Sequence, residues 1–89
     1  VKKELYLRGK IAEQDGKEIE IRTVGDGSDY KSYCYVIYEG RGYGAVELES
    51  YTCEFDAREG HLKWLMKRKR CLSYLEALGV LRRRGSLWD

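Results

Sequence analysis

The chain has no proline and only one methionine, one phenylalanine and one histidine. No apolar run exceeds Tyr33–Tyr38, far short of the roughly 18 residues that a membrane-crossing helix needs. Val1-Lys2-Lys3-Glu4 leads directly into alternating residues, without the apolar segment of a signal peptide. The expected location is therefore cytoplasmic, with no membrane partner.

Metal and disulfide signals are equally sparse. Cys34, Cys53 and Cys71 are widely spaced and odd in number, whereas small secreted domains carry a denser, even set. Free thiols acting as small buried hydrophobes are expected. There is no CxxC pair, and structural zinc sites draw on close ligand pairs, so neither metal nor cofactor is expected. His61 lies near a helix start, where an exposed imidazole with a pKa lowered by the dipole is the simple expectation. No Ser/His/Asp spacing or carboxylate pair accompanies it, and a non-catalytic role follows. Gly40-x-Gly42-x-Gly44 joins two strands rather than a strand to a helix, so it is not a phosphate loop. Asp26 and Asp29 supply too few oxygens for a calcium loop.

What is present is one domain, 1–89, with 43% hydrophobic and 36% charged residues. A chain of this size buries only about 60–65% of its unfolded surface, so the core is thin. Charge divides the chain. Residues 1–55 hold eight Lys/Arg against eleven Asp/Glu, and residues 56–89 hold nine against four. Such asymmetry points to a polyanionic partner.

The first 55 residues alternate with the period of strands. Leu5, Leu7 and Ile11 share one face, with Gly9 in register, and Tyr6, Arg8, Lys10 and Ala12 the other. Ile19, Ile21 and Thr23 oppose Glu18, Glu20 and Arg22 after a turn at Gln14-Asp15-Gly16. A three-residue loop with Gly16 in the left-handed position pairs Ile11 with Ile19 and Lys10 with Glu20, keeping one face apolar. A second hairpin, Tyr30–Glu39 and Tyr43–Phe55, turns at Gly40-Arg41-Gly42. If Tyr38 faces Tyr43, then Tyr33, Tyr35 and Ile37 share a face with Gly44, Val46 and Leu48, opposite Cys34, Val36 and Ala45. The apolar phase slips after Leu48, which predicts a bulge near Ser50.

From Asp56 the period becomes helical. Asp56 fits an N-cap with Glu59 as its capping-box partner, and Gly79 fits a C-cap. Leu62, Leu65, Leu72, Leu75 and Leu78 form a stripe bordered by Trp64 and Cys71. Arg68 falls inside that arc. Either a continuous helix lets Arg68 snorkel, which is preferred because the run holds no breaker, or the helix is interrupted within Lys67–Arg70. The predicted fold is α+β: two consecutive hairpins forming a four-stranded antiparallel sheet (1–55), one helix on one face (56–79) and a basic tail (80–89), in the order ββββα.

Two surfaces are candidates for function. From His61 to Arg84 eight Lys/Arg face one acid, Glu76, with Trp64 and Tyr74 among them. Dense positive charge beside aromatics suits a phosphate backbone, so Lys63, Lys67, Arg68, Lys69, Arg70, Arg82, Arg83 and Arg84 are the candidate nucleic-acid contacts. An acidic protein surface is the other partner they suit. The second candidate rests on eight tyrosines against one phenylalanine, because tyrosine favours interfaces where one side is apolar and the other wet. Tyr6, Arg8, Lys10, Tyr38 and Tyr43 are placed together on the sheet face away from the helix, as in a protein-binding adaptor or inhibitor of the phage or mobile-element kind.

Arg41-Gly42-Tyr43-Gly44-Ala45-Val46-Glu47-Leu48 resembles the longer ribonucleoprotein signature of the RNA recognition motif family, and Leu5-Tyr6-Leu7-Arg8-Gly9 its shorter one. The resemblance implies that Tyr6 and Tyr43 stack on bases. That family has an aromatic where Ala45 stands and a helix where Asp15-Gly16 turns, so no family is assigned.

Overall fold

The computed structural model describes residues 4–79. Four strands, β1 (Leu5–Gln14), β2 (Lys17–Gly25), β3 (Tyr30–Tyr38) and β4 (Arg41–Tyr51), form an antiparallel meander in the order β1-β2-β3-β4. Two helices follow, α1 (Glu54–Leu65) and α2 (Arg68–Ala77). The fold is thus α+β as expected, with two helices in place of the predicted one. No helix among the described residues is long and apolar enough to cross a membrane.

Both hairpins close with two-residue turns whose residues have positive φ: Asp15 and Gly16 at 53° and 79°, Glu39 and Gly40 at 51° and 78°. This is the turn whose twist matches paired strands. It corrects both predicted loops, and each correction is compensated by a bulge. Lys10 pairs with Glu20 as expected, but Ala12 rather than Ile11 pairs with Ile19, because Ile11 is the extra residue of a bulge. Ala12 therefore turns inward and is buried. In the second hairpin Tyr38 pairs with Arg41, Ile37 with Gly42 and Val36 with Gly44, leaving Tyr43 as the extra residue. Cys34 and Val36 thus share a face with Val46 and Gly44, while Tyr33 and Tyr35 go with Glu47 and Ala45, the reverse of the predicted grouping. The slip expected near Ser50 occurs at Leu48, between the pairs Ser32–Glu49 and Tyr33–Glu47.

One sheet face and the helices enclose the core: Ala12, Ile19, Ile21, Cys34, Val36, Trp64, Cys71, Leu72 and Leu75, edged by Ile11, Val46, Leu48 and Leu65. A second cluster of Leu5, Tyr30 and Ala57, with Leu7 and Tyr51, closes the end where α1 begins.

α1 starts at Glu54 with Cys53 as N-cap, so Asp56 sits in the first turn beside Glu54 rather than capping it. Carboxylates there still favour the positive helix end, and Glu54 also accepts from Arg58 at 2.7 Å. The face turned to the sheet is Ala57, Gly60, His61 and Trp64, not the leucine stripe; Leu62 and Leu78 are exposed.

The helix breaks at Met66 and Lys67, where Met66 N donates to Lys63 O and Lys67 takes φ −110°, ψ 48°. A continuous helix would place Arg68 inward between Leu65 and Leu72. The break releases it to a half-buried position while Cys71, Leu72 and Leu75 regain the core. Leu78 is the C-cap of α2, and Gly79, predicted for that place, follows it at φ 77° and donates to Glu76 O as the left-handed residue just past the helix end.

Glu39 is a non-glycine residue in the left-handed region, which costs roughly 1–2 kcal/mol. Asparagine tolerates that region better. Glu39→Asn should stabilise the fold by roughly 0.5–1 kcal/mol, a rise of a few degrees in Tm by calorimetry. A fall in Tm would show that the turn is not held as described.

Candidate nucleic-acid interface

The basic residues are arranged around one aromatic side chain. Trp64 lies 6% exposed on the inner face of α1, and its Nε1 donates to Glu49 Oε1 at 2.9 Å. Lys63 Nζ and Lys67 Nζ stand 5.6 and 5.4 Å from the Trp64 ring centroid, close enough for cation–π attraction. Tyr74 of α2 packs against the same ring at 6.4 Å between centroids. Trp64 therefore packs between α1 and α2 at the point where the chain turns.

At that turn, Met66, Lys67, Arg68, Lys69 and Arg70 line an open groove of about 470 Å³. Lys69 and Arg70 are exposed, and Lys67 and Arg68 half-buried. Among the described residues none of these four cations forms an ion pair, and Arg68 Nε is buried without a hydrogen-bond partner. They sit at the N-terminus of α2, which has no acid in its first turn and no side-chain cap on Lys67. Glu76 stands in the last turn. The charges of α2 thus oppose its dipole at both ends, at a cost of roughly 0.3–1 kcal/mol per charge.

Lys63 is separate from this group. Its Nζ donates to Glu49 Oε1 at 2.6 Å, so it is committed within the fold. Arg82, Arg83 and Arg84 lie outside the described residues.

Glu49 also ends a hydrogen-bonded chain that sequence reasoning missed. His61 Nδ1 is 2.7 Å from Thr23 Oγ1, which is 2.6 Å from Ser32 Oγ. Ser32 Oγ is 3.1 Å from the Tyr51 hydroxyl, which donates to Glu49 Oε1 at 3.2 Å. A carboxylate only accepts and each hydroxyl has one proton, so every donor in the chain points toward Glu49. His61 is then the Nδ1–H tautomer, donating to Thr23. His61 is 5% exposed rather than solvent-facing as expected, and burial lowers its pKa. The Lys63 hydrogen bond, against the opposing effect of burial, holds the Glu49 carboxyl below the usual range. The available signal was Thr23 and Ser32 themselves: each falls in phase with core positions of its strand, and a buried hydroxyl needs a partner.

Cys34 and Cys71 meet in the core. Their shared hydrogen bond and burial push the Cys34 thiol up, while the same bond lowers Cys71, with Arg70 and Lys67 adding to the effect. Cys34, Cys53 and Cys71 are not in disulfides. No group of three His, Cys, Asp or Glu suited to a metal ion occurs among the described residues.

The register divides the tyrosine-based candidate surface. Tyr6, Arg8 and Lys10 pair with Val24, Arg22 and Glu20 on the face away from the helices. Tyr38 lies in register with Lys17, on the side of Ile19 and Val36. Tyr43 joins it there, the two rings 5.9 Å apart and Lys17 Nζ 4.8 Å from the Tyr43 centroid. Tyr6 and Tyr43 are therefore on opposite faces and cannot stack on one strand of bases from the same surface. What accompanies Tyr6, Arg8 and Lys10 is Arg22, Tyr33 and Tyr35. Glu20, only 4% exposed, accepts from Arg8 at 3.0 and 3.1 Å and from Arg22, and the Arg22 guanidinium stacks 3.9 Å from the Tyr35 centroid. Burial raises the pKa of Glu20, but the hydrogen bonds from Arg8 and Arg22 outweigh it and hold the carboxyl below its ordinary value.

No family model matches the chain, and neither the curated proteins nor the solved structures provide a match.

Two outcomes test the network. A Cβ on Gly60 would lie 2.1 Å from the Tyr51 hydroxyl oxygen. Gly60→Ala, which gains about 1 kcal/mol in an exposed helix, should instead destabilise by roughly 1–3 kcal/mol in urea unfolding. The sign decides. His61 has its folded pKa below the unfolded value of about 6.5, so the unfolded state takes up the proton first and stability falls as pH drops below about 6.5. The slope should approach, but not exceed, about 1.4 kcal/mol per pH unit. His61→Gln should flatten the profile between about pH 6.5 and 5, above the range where carboxylates titrate; an unchanged slope would place the effect elsewhere.

Proposed function

We propose that this domain is a non-catalytic binding module that contacts the phosphate backbone of a nucleic acid at the α1–α2 junction, through Lys67, Arg68, Lys69 and Arg70. The observation that carries the reading is their setting: four cations without ion pairs among the described residues, placed at a helix N-terminus that already favours anions. They do not stabilise α2, and a polyanion would relieve their mutual repulsion by counterion release. The backbone N–H groups of the first turn add donors that suit phosphate oxygens. Trp64 lies beneath the junction and orients it, and is too buried to stack on a base. Contact is therefore with the backbone, and little sequence preference is expected.

A second reading has its own observation. The sheet face bearing Tyr6, Arg8, Tyr33 and Tyr35 carries neither helix, and its central carboxylate is already neutralised by Arg8 and Arg22. Such a surface suits a protein partner of the adaptor or inhibitor kind.

Salt dependence separates the two. Lys67→Gln/Lys69→Gln/Arg70→Gln should weaken retention on immobilised nucleic acid and reduce the log–log salt slope by about 0.7–0.9 for each phosphate that is no longer neutralised. Tyr6→Ala/Tyr35→Ala should leave it unchanged. Absence of wild-type binding to single- and double-stranded DNA and RNA at low salt would falsify the nucleic-acid reading.

A further inference from the structure

α1 has a second apolar face that stands exposed among the described residues. Phe55, Leu62 and Met66 are 71%, 57% and 87% exposed. Their spacing, i, i+7 and i+11, brings them within about 20° of one line along the helix. The opposite side, Ala57, Gly60, His61 and Trp64, is the one buried on the sheet. Single exposed hydrophobic residues are ordinary, but three large ones aligned on one helix form a contiguous patch of the kind that marks an interaction site.

We propose that α1 pairs antiparallel with α1 of a second copy, about a twofold axis at the level of residue 61, one position before Leu62. The inference does not depend on nucleic-acid binding. In this pairing Leu62 meets its counterpart and Phe55 lies across from Met66 of the second copy, so all three exposed side chains are covered by the same three. Glu59 flanks the stripe and forms no ion pair among the described residues. The pairing brings it beside Lys63 of the second copy, whose part-exposed ammonium keeps N–H donors beyond the one given to its own Glu49, twice by symmetry, as an isologous contact requires.

Charge also selects the orientation. Parallel helices would align their dipoles and set two copies of Lys67–Arg70 side by side. Antiparallel helices oppose the dipoles and carry those clusters to opposite ends. The stripe is smaller than the roughly 800 Å² per partner of a standard interface, so the dimer is weak and its population depends on concentration.

The test combines association and register. In sedimentation equilibrium the wild type should shift from monomer toward dimer as concentration rises, and Leu62→Asp should weaken the association about tenfold or more with an unchanged circular dichroism spectrum. Cysteine cross-linking under mild oxidation, in a Cys53→Ser background, reads the orientation. Leu62→Cys should cross-link with itself, and a mixture of Phe55→Cys with Met66→Cys should cross-link, while Phe55→Cys alone should not. A wild type that stays monomeric at every concentration overturns the proposal and leaves the stripe to a different protein or to residues 80–89. Self-cross-linking of Phe55→Cys as readily as Leu62→Cys overturns it too, since that is the parallel arrangement. Nucleic-acid retention, measured separately on Leu62→Asp, keeps the two proposals distinguishable.

Discussion

Among the described residues the helices cover one face of this sheet, and that constraint governs the backbone. The core side chains of four strands must reach the same side, although strict alternation between two-residue turns would not send them there. Bulges resolve the conflict. Ile11, Tyr43 and Leu48 each take up one residue, after which the following side chains fall on the correct face. The tight turns are kept because their twist suits the strands, and the phase error they introduce is absorbed a few residues away, where a bulge also deters edge-to-edge pairing on β1 and β4.

The second requirement comes from polar groups within the layer. Thr23 and Ser32 occupy core positions, and their hydroxyls cannot be left without partners. His61 and Tyr51 satisfy them, and the chain of donors ends on Glu49, which also receives Lys63 and Trp64. One carboxylate at the edge of β4 thereby ties β2, β3 and α1 together and orients Trp64. Gly60 is part of the same arrangement, because only a residue without Cβ lets Tyr51 approach α1 so closely.

Trp64 in turn links the core to the surface. Lys67 lies over its ring and Tyr74 beside it, so the junction between α1 and α2 is built on a rigid, buried support. The cations displayed there work against α2 itself, and the proposed contact with an external anion rests on that placement. The two surfaces for which partners are proposed are also physically distinct. One is cationic and belongs to a helix N-terminus; the other is apolar and belongs to the outer line of α1. They meet at Met66, which ends the apolar line and borders the cationic groove.

Period-two alternation, turns in the neighbourhood of Gly16 and Gly40 and the shift to helical spacing after Phe55 were legible from residue order, since each reports a local backbone preference, but the length of both turns was not. They determined four strands followed by helix, the pairing of Lys10 with Glu20, the glycine just past the end of α2 and the concentration of cations in Lys67–Arg70. The sequence did not determine which residues a bulge would set aside, because that depends on how strands share a common face. Nor did it decide between a continuous and an interrupted helix. Locally Lys67–Arg70 contains no breaker; the interruption re-phases the chain so that Cys71, Leu72 and Leu75 reach the core while Arg68 stays half-buried. His61 was misjudged for the same reason: its helix position says exposed, and only a hydroxyl 38 residues earlier, brought to 2.7 Å by the sheet, makes it a buried donor. Local chemistry fixed the elements, and competition among distant side chains for one enclosed layer decided their ends, their phases and the placement of the site.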